Sequence, residues 1–526
     1  MVLRPCARIS RVAVASGRDA ARALPARTPR VTRGDLYASL MIPNVVAEAA
    51  RRFGDRIAYV TERGWALTYG DVDRISDEVA VGLAREDVSE GDVVALVLPP
   101  GPEYLLAYCA AAKLGAITAG VNDRLSSTER RAVLDIAGPT LTIDDRQPAD
   151  GADNVLHGLR VRGEAPPPLP DDADRPVAII FTSGTTGLPK GAVYANRQLA
   201  FITQTDTGGR WDGGGRSFSG TSFAHLGFMT KLPGSLTRGG TTFIMERWRA
   251  ADALELLARE KMTTVAGVPT QLALMLRQPD FDAFDLSSVA YIIAGGGPIT
   301  PGLAEEARRR FDAQLATRYS CTEAGIGLGT AFDDPDEDAI VSVGRPHASV
   351  ELSLRDPNGE PIDPGAGDVG EVCLRSPAVM SGYWHDPDQT AAAFTADGFV
   401  RTGDLGWIDD RSRLRLVGRS KEMYVRGGYN VYPVEVEAVL STHPDVAAVA
   451  IVPRSDHVMG EIGVAVVVPR DPAHAPALDE LRSFAQDRVA AYKLPEALVV
   501  RGDLPLTAGE KIDRRALVAE LNDPVA

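Results

Sequence analysis

The eleven residues Phe181-Thr-Ser-Gly-Thr-Thr-Gly-Leu-Pro-Lys-Gly191 combine a flexible backbone, several hydroxyls and one ammonium. Glycines let a chain curl close to phosphate oxygens, so that backbone N–H groups point at the anion. Ser183, Thr185 and Thr186 add hydroxyl donors, and Lys190 adds positive charge. The spacing is not that of the ordinary nucleotide P-loop, because Pro189 precedes the lysine and Gly191 follows it. A solvated turn is the plain alternative. The unbroken run of hydroxyl and glycine residues over 183–187 favours a phosphate cradle. Lysine is scarce: only Lys113, Lys190, Lys231, Lys261, Lys421, Lys493 and Lys511 occur among 56 basic residues. The lysines that remain are therefore enriched for places that want a compact, movable ammonium.

Thr182-Ser-Gly-Thr-Thr-Gly-Leu-Pro-Lys-Gly191 resembles the signature of the adenylate-forming superfamily: acyl-CoA synthetases, carrier-loading adenylation domains and firefly luciferase. The resemblance runs from about Met41 to Leu521, is strongest to bacterial fatty-acid–CoA ligases, and includes further motifs in family order. It implies that Thr182, Ser183, Gly184, Thr185, Thr186, Gly187 and Lys190 hold ATP phosphates, with Thr185 and Lys190 catalytic. Tyr319-Ser-Cys-Thr-Glu323 resembles the family's Y-G-x-T-E. By that resemblance Tyr319 lies against adenine, Thr322 touches phosphate and Glu323 helps to hold Mg²⁺, an ion that prefers carboxylate and phosphate oxygens. Ser320 replaces the usual glycine, which puts the local turn in question. Ala294-Gly-Gly-Gly-Pro298 resembles the segment beside adenine and the acyl chain, assigning Gly296, Gly297 and Pro298 to nucleotide and Gly295 to substrate.

Arg401-Thr-Gly-Asp404 resembles the family's T-G-D, where Asp404 would accept from both ribose hydroxyls, two acceptor oxygens matching a vicinal diol. Gly418-Arg-Ser-Lys-Glu422 and Arg426-Gly-Gly-Tyr-Asn430 resemble the hinge and the loop after it. Arg419 would then contact nucleotide, Lys421 would be the hinge, and Gly427 and Gly428 would line the mouth of the CoA tunnel. Leu504–Asp513 resembles P-x-T-x-x-G-K-I, which makes Lys511 the catalytic lysine bridging carboxylate and α-phosphate. Glu510 replaces the glycine before it. A carboxylate there is expected to raise the Lys511 pKa and compete for its charge. His225 falls at a position that gates passage between acyl and thiol sites in the family.

The implied chemistry has two steps: acid plus ATP gives acyl-AMP and pyrophosphate, and coenzyme A then gives acyl-CoA and AMP. No acid occurs between His225 and Arg238, where amino-acid-activating relatives carry an aspartate, so the substrate is expected to lack an α-amino group. The apolar segment from His225 to Phe243 suits an acyl or aryl pocket. Fatty acid is the first expectation, with aryl and alicyclic acids next. With no carrier domain after Leu521 in this sequence, CoA is the expected thiol. Two rivals stand beside this reading. One is a fatty-acyl-AMP ligase serving a separate carrier protein, although residues 323–370 show no extra motif. The other is a non-catalytic nucleotide-binding regulator, motivated by Glu510 alone.

The elements that must position these residues alternate between strand and helix from Ile42, an α/β pattern. Asp92–Leu98 and Val177–Phe181 read as buried strands. Asn44–Phe53, Glu103–Leu114, Ala250–Lys261 and Pro301–Phe311 read as helices, with Asn44 as an N-cap. Gly163–Pro176 reads as a connector. Near Gly418 the character changes: Pro433–Leu440 and Leu478–Val489 read as helices, and Val446–Pro453 and Ile462–Pro469 as strands. The expected layout is an arginine-rich extension over 1–40, a large multi-subdomain domain over 41–418, and a small mobile α+β domain over 419–526. The extension carries arginines 4, 8, 11, 18, 22, 27, 30 and 33. It is expected to be a disordered or spurious upstream extension, with Met41 as the functional start; a transit peptide is the alternative.

The net charge of −15 argues against a general nucleic-acid binder. Cys6, Cys109, Cys321 and Cys373 show no paired spacing, which suits a reducing, cytoplasmic setting. No apolar run approaches the ~20 residues of a membrane span. Peripheral membrane association and a homodimer are both left open.

Overall fold

The computed structural model describes residues 39–144, 156–182, 189–363 and 367–522. The expectations for residues 1–38, and for Ser183, Gly184, Thr185, Thr186 and Gly187, lie outside them. Among the described residues the strands form five sheets.

The central sheet has the order Gly382–Tyr383, Lys190–Ala195, Pro176–Thr182, Ile117–Gly120, Val93–Val97 and Leu141–Asp144. Its last four strands are parallel. The helix Pro102–Leu114 links two of them and is buried along its length except at Glu103. A helix without a polar face must be enclosed; here it is boxed by the helices Ile42–Phe53 and Tyr69–Arg85 and by the sheet. Pro102 opens it and Gly115, at φ 73°, closes it, the usual division of labour at helix ends.

The first helix corrects the sequence reading. It runs Ile42–Phe53 with Met41 at the N-cap and Pro43 in the first turn. Proline needs no N–H there, so the helix starts before Asn44. The Asn44 amide instead donates to Asp171 at 2.9 Å. Two other ends move for local reasons. The helix Ala250–Arg259 stops short of Lys261, which takes a positive φ of 47°. The helix Leu478–Ala485 stops before Val489, where the chain tightens and the Arg488 N–H bonds the Ala485 carbonyl three residues back at 2.9 Å.

A second sheet has the order Ala66–Thr68, Ile57–Thr61, Thr241–Ile244 and Arg216–Ser219. A third places Thr264–Gly267, Tyr291–Gly295 and Gln314–Tyr319 side by side in parallel. A fourth, antiparallel, pairs Val400–Ile408 with Leu414–Arg419 and sets Asp404 opposite Arg419. The chain then turns through Ser420–Glu422, with Lys421 in the turn.

Residues 424–522 form a small C-terminal domain. Its strands are Tyr429–Val431, Tyr424–Arg426, Gly460–Pro469, Val446–Asp456 and Ala497–Val500. Two hydrophobic clusters, around Val436, Leu440 and Ile451 and around Val452, Val466 and Leu517, draw only on this part of the chain. Among the described residues three ion pairs cross to the large domain: Arg470 to Glu306 at 2.8 Å, Asp503 to Arg277 at 3.0 Å and Glu510 to Arg124 at 2.9 Å. Gly302 allows a close backbone approach, since a Cβ there would lie 2.2 Å from the Ser441 carbonyl oxygen. Among the described residues no helix is long and apolar enough to cross a membrane.

Candidate functional site

The glycine-rich loop joins two antiparallel strands. Thr182 pairs with Lys190 and Phe181 with Gly191. A P-loop runs from a strand into a helix; here a second strand follows, which is the structural counterpart of the Pro-Lys-Gly ending. Gly191 is a packing requirement, because a Cβ would lie 2.6 Å from Ile179. Lys190 donates to Gln389 at 2.6 Å and lies 5.1 Å from the centre of the Tyr383 ring.

Gly295 and Tyr319 end neighbouring parallel strands, Gly295 opposite Arg318. Carboxyl ends of parallel strands are where ligands meet open α/β sheets. Gly296, at φ 79°, turns the chain out, and Gly296, Gly297 and Pro298 are exposed. Ser320 is absent from the residues with positive φ; Gly325 carries that conformation at 70°. The serine therefore strains nothing, and the turn questioned from sequence is intact. The Thr322 carbonyl accepts from the buried Tyr194 hydroxyl at 2.5 Å.

The Tyr319 hydroxyl donates to Asp404 Oδ2 at 2.7 Å, and Arg419 Nε donates to Oδ1 at 2.9 Å. Burial first, then the Asp404 charge, pushes the Tyr319 pKa well up, so it stays a donor. The Tyr383 hydroxyl donates to Glu323 Oε1 at 2.8 Å. Lys190, Tyr383 and Glu323 therefore form one line from the loop to the acidic residue.

Lys511 comes from the small domain. The hairpin Leu506–Ile512 carries it, with the Thr507 N–H bonded to the Lys511 carbonyl at 2.7 Å. Its pKa is pushed down, first by loss of water around the ammonium and then by the Arg419 charge; Asp404 and Glu422 act the other way. Water still reaches the residue as a whole, but protein atoms crowd the ammonium, and that sets the direction. Glu510 does not contribute. Its carboxylate accepts from Arg124 at 2.9 Å and Gln271 at 2.5 Å, both in the large domain. The expectation that Glu510 would raise the Lys511 pKa is thus overturned: the two side chains diverge from a turn in which Glu510 has φ 60°.

His225 faces the same hairpin. Its pKa falls from 6.5 to about 4, through burial first and then the Lys511 and Arg124 charges. Asn122 Oδ1 accepts from the Arg124 backbone N–H at 3.0 Å, which turns the Asn122 side-chain nitrogen toward His225 Nε2 at 3.3 Å. That orientation makes Nε2 an acceptor and leaves the ring neutral. Gly427 and Gly428, at φ 55° and 87°, form the two-residue turn between Tyr424–Arg426 and Tyr429–Val431, the glycine-rich turn that suits a twisted hairpin. They lie against Met459 and open space, not against Asp404 or Lys511.

Residues 46–384 match the family of AMP-binding enzymes, and residues 435–511 match the C-terminal domain of the same enzymes. The chain belongs to the AMP-binding enzymes. It is 32% identical over 480 residues to a feruloyl-CoA synthase of an Amycolatopsis species, covering 88% of this chain and 95% of that one. It is also 32% identical over 482 residues to a fatty acid–[acyl-carrier-protein] ligase of Streptomyces coeruleorubidus, covering 86% and 91%. An amide bond synthetase from Marinactinospora thermotolerans superposes with a TM-score of 0.79 at 26% identity, covering 92% of this chain and all of that one. The family match and the first two of these relatives place this AMP-binding enzyme among the AMP-forming acid–thiol ligases, with ATP and CoA as the family's substrates.

The residues of this AMP-binding enzyme fit a single carboxylate ligand for a phosphate-bound magnesium ion. Among the described residues no group of three or more His, Cys, Asp or Glu could enclose a metal. Glu323 keeps Oε2 without a hydrogen-bond partner among them. Mg²⁺ commonly takes one or two carboxylates and completes its shell with phosphate and water. Tyr383, Asn122, Arg124 and Gln271 were missed from sequence. Tyr383 had a weak signal, an aromatic Gly-Tyr-Trp in a chain with 6% aromatic residues; the other three had none.

Proposed function

We propose that this chain joins a carboxylic acid without an α-amino group to coenzyme A, and that the acid is a fatty acid. A carboxylate oxygen attacks the α-phosphorus of ATP, the bond to the pyrophosphate oxygen breaks, and pyrophosphate leaves with the electron pair. The CoA thiol then attacks the acyl carbonyl, its proton passes to solvent, and AMP leaves as the carbon–oxygen bond breaks.

The observation that carries this reading is the Tyr319–Asp404–Arg419 cluster, with Lys511 on a hairpin of the small domain near enough for the Arg419 and Asp404 charges to act on its ammonium. Positioning and charge neutralisation are the main catalytic resources for such a displacement. In this account Thr182 to Gly187 and Lys190 cradle the phosphates, and Thr322 adds a contact. Tyr319, with Gly296, Gly297 and Pro298, encloses adenine. Asp404, whose oxygens keep further lone pairs, takes the ribose, and Arg419 braces it. Glu323 holds Mg²⁺, which neutralises phosphate charge when bound. Gly295 and His225 border the acid. Gly427 and Gly428 come to the CoA route when the small domain turns about Lys421.

A hydroxycinnamic acid is the second reading, favoured by the feruloyl-CoA synthase relative. The carrier-protein relative keeps acyl transfer to a carrier as a rival. The regulatory alternative loses its motive, because Glu510 bonds Arg124 and Gln271. The test is to mix protein, ATP, Mg²⁺ and CoA with a panel of fatty and aryl acids and to detect products by mass. An acyl-CoA from fatty acids supports the proposal. Stable acyl-AMP with no thioester overturns it.

A further inference from the structure

Glu510 occupies a backbone conformation that favours glycine, with φ 60°. A side chain at such a place is retained only where surrounding contacts over-determine it. Here both carboxylate oxygens reach across the domain boundary. Oε1 accepts from Arg124 at 2.9 Å and Oε2 from Gln271 at 2.5 Å. The Glu510 side chain is only 15% exposed and Arg124 31%, so the pair is partly screened.

An open cleft of about 400 Å³, rimmed by Trp248, Gln271, Leu506, Thr507 and Glu510, lies beside the pair. The contact is also continuous with the site. Arg124 shares Asn122 with His225, and a Cβ at Gly509 would lie 3.9 Å from His225 Nε2. Glu510 in turn precedes Lys511 in a hairpin closed by the bond from the Glu510 N–H to the Thr507 carbonyl at 2.9 Å.

We propose that Glu510 is a positioning residue: by clamping Arg124 and Gln271 it fixes the Lys511 hairpin over the site and biases the small domain toward the adenylate-forming arrangement. The proposal rests on the ligase reading above for its catalytic meaning, not for its geometry. It implies an enzyme that forms adenylate readily and is slower to swing toward the thiol step.

The test uses the full chain and two readouts. Hydrogen exchange of the peptide spanning Leu504–Asp513 is compared in wild type, Arg124→Ala, Gln271→Ala and Glu510→Gly. Glu510→Gly relieves the backbone, so it should fold, and the two large-domain variants leave the hairpin sequence untouched. Exchange is expected to rise about three- to tenfold in all three, the scale of a partly screened ion pair, while Val446–Asp456 stays protected. With palmitic and ferulic acids as probes, kcat for acid-dependent pyrophosphate release should fall by a similar factor with KM for the acid little changed. Unchanged exchange in Arg124→Ala and Glu510→Gly overturns the clamp. Raised exchange in a protein that activates neither acid supports the clamp and counts against the ligase reading instead.

Discussion

The Tyr319 hydroxyl is bonded to Asp404 Oδ2 at 2.7 Å, although 85 residues separate the two in sequence. Tyr319 ends a parallel strand of one sheet, while Asp404 lies on an antiparallel strand of another. The bond ties the residue expected against adenine to the residue expected on ribose. Arg419 completes the cluster from the strand opposite.

Tyr319→Phe should therefore loosen nucleotide binding without unfolding the protein. A hydrogen bond to a charged group contributes about 1.5–3 kcal/mol, so KM for ATP should rise at least about tenfold. Steady-state kinetics at varied ATP, with KM for the acid as the internal control, checks this.

Glu323→Gln should raise the magnesium concentration required for half-maximal activity, because it removes the charge on the free Oε2. The Tyr383 bond to Oε1 can persist with the amide, so the fold should hold. A Mg²⁺ titration of pyrophosphate release on both proteins is the measurement. An identical titration curve would remove Glu323 from the metal account.

His225 gives the docked arrangement a pH dependence. The imidazole pKa is depressed from 6.5 to about 4 where the small domain faces it. The undocked or unfolded chain therefore binds more protons between those values, and the docked state loses stability as pH falls from about 6.5 toward 4. Above about 6.5 both states are neutral at this residue and the effect vanishes. Burial is the larger cause and Lys511 the next, with Arg124 and its partner Glu510 beside them. NMR titration should find His225 near 4 in wild type and higher in Lys511→Ala. Pyrophosphate release should show an acid limb that flattens in His225→Gln.

Much of this was legible in the sequence because it is local. Strand, loop and Pro-Lys-Gly succeed each other over 176–191; the helix read as Glu103–Leu114 announces itself by its apolar content, and Pro301–Phe311 by its proline start. What was not legible depends on partners far apart in the chain. Arg124, Gln271 and Glu510 come from three separate segments, and no spacing rule joins them. At Glu510 and Lys511, adjacency in sequence is not adjacency of charge. In a tight hairpin with a left-handed residue, consecutive side chains point to different neighbours. The Asn44 cap failed for a simpler reason: Pro43 already suits the first turn, and the helix began before it.

The central claim is that Lys511 completes an acid-activating site built on Asp404, Arg419 and the glycine-rich loop. Acid-dependent pyrophosphate release by wild type and Lys511→Ala, measured beside AMP binding by calorimetry, tests it most directly. The account predicts that the variant loses about 10²- to 10³-fold in rate and binds AMP nearly as tightly as wild type. Equal rates in the two proteins, or no release by wild type with any acid of a broad panel, would contradict it.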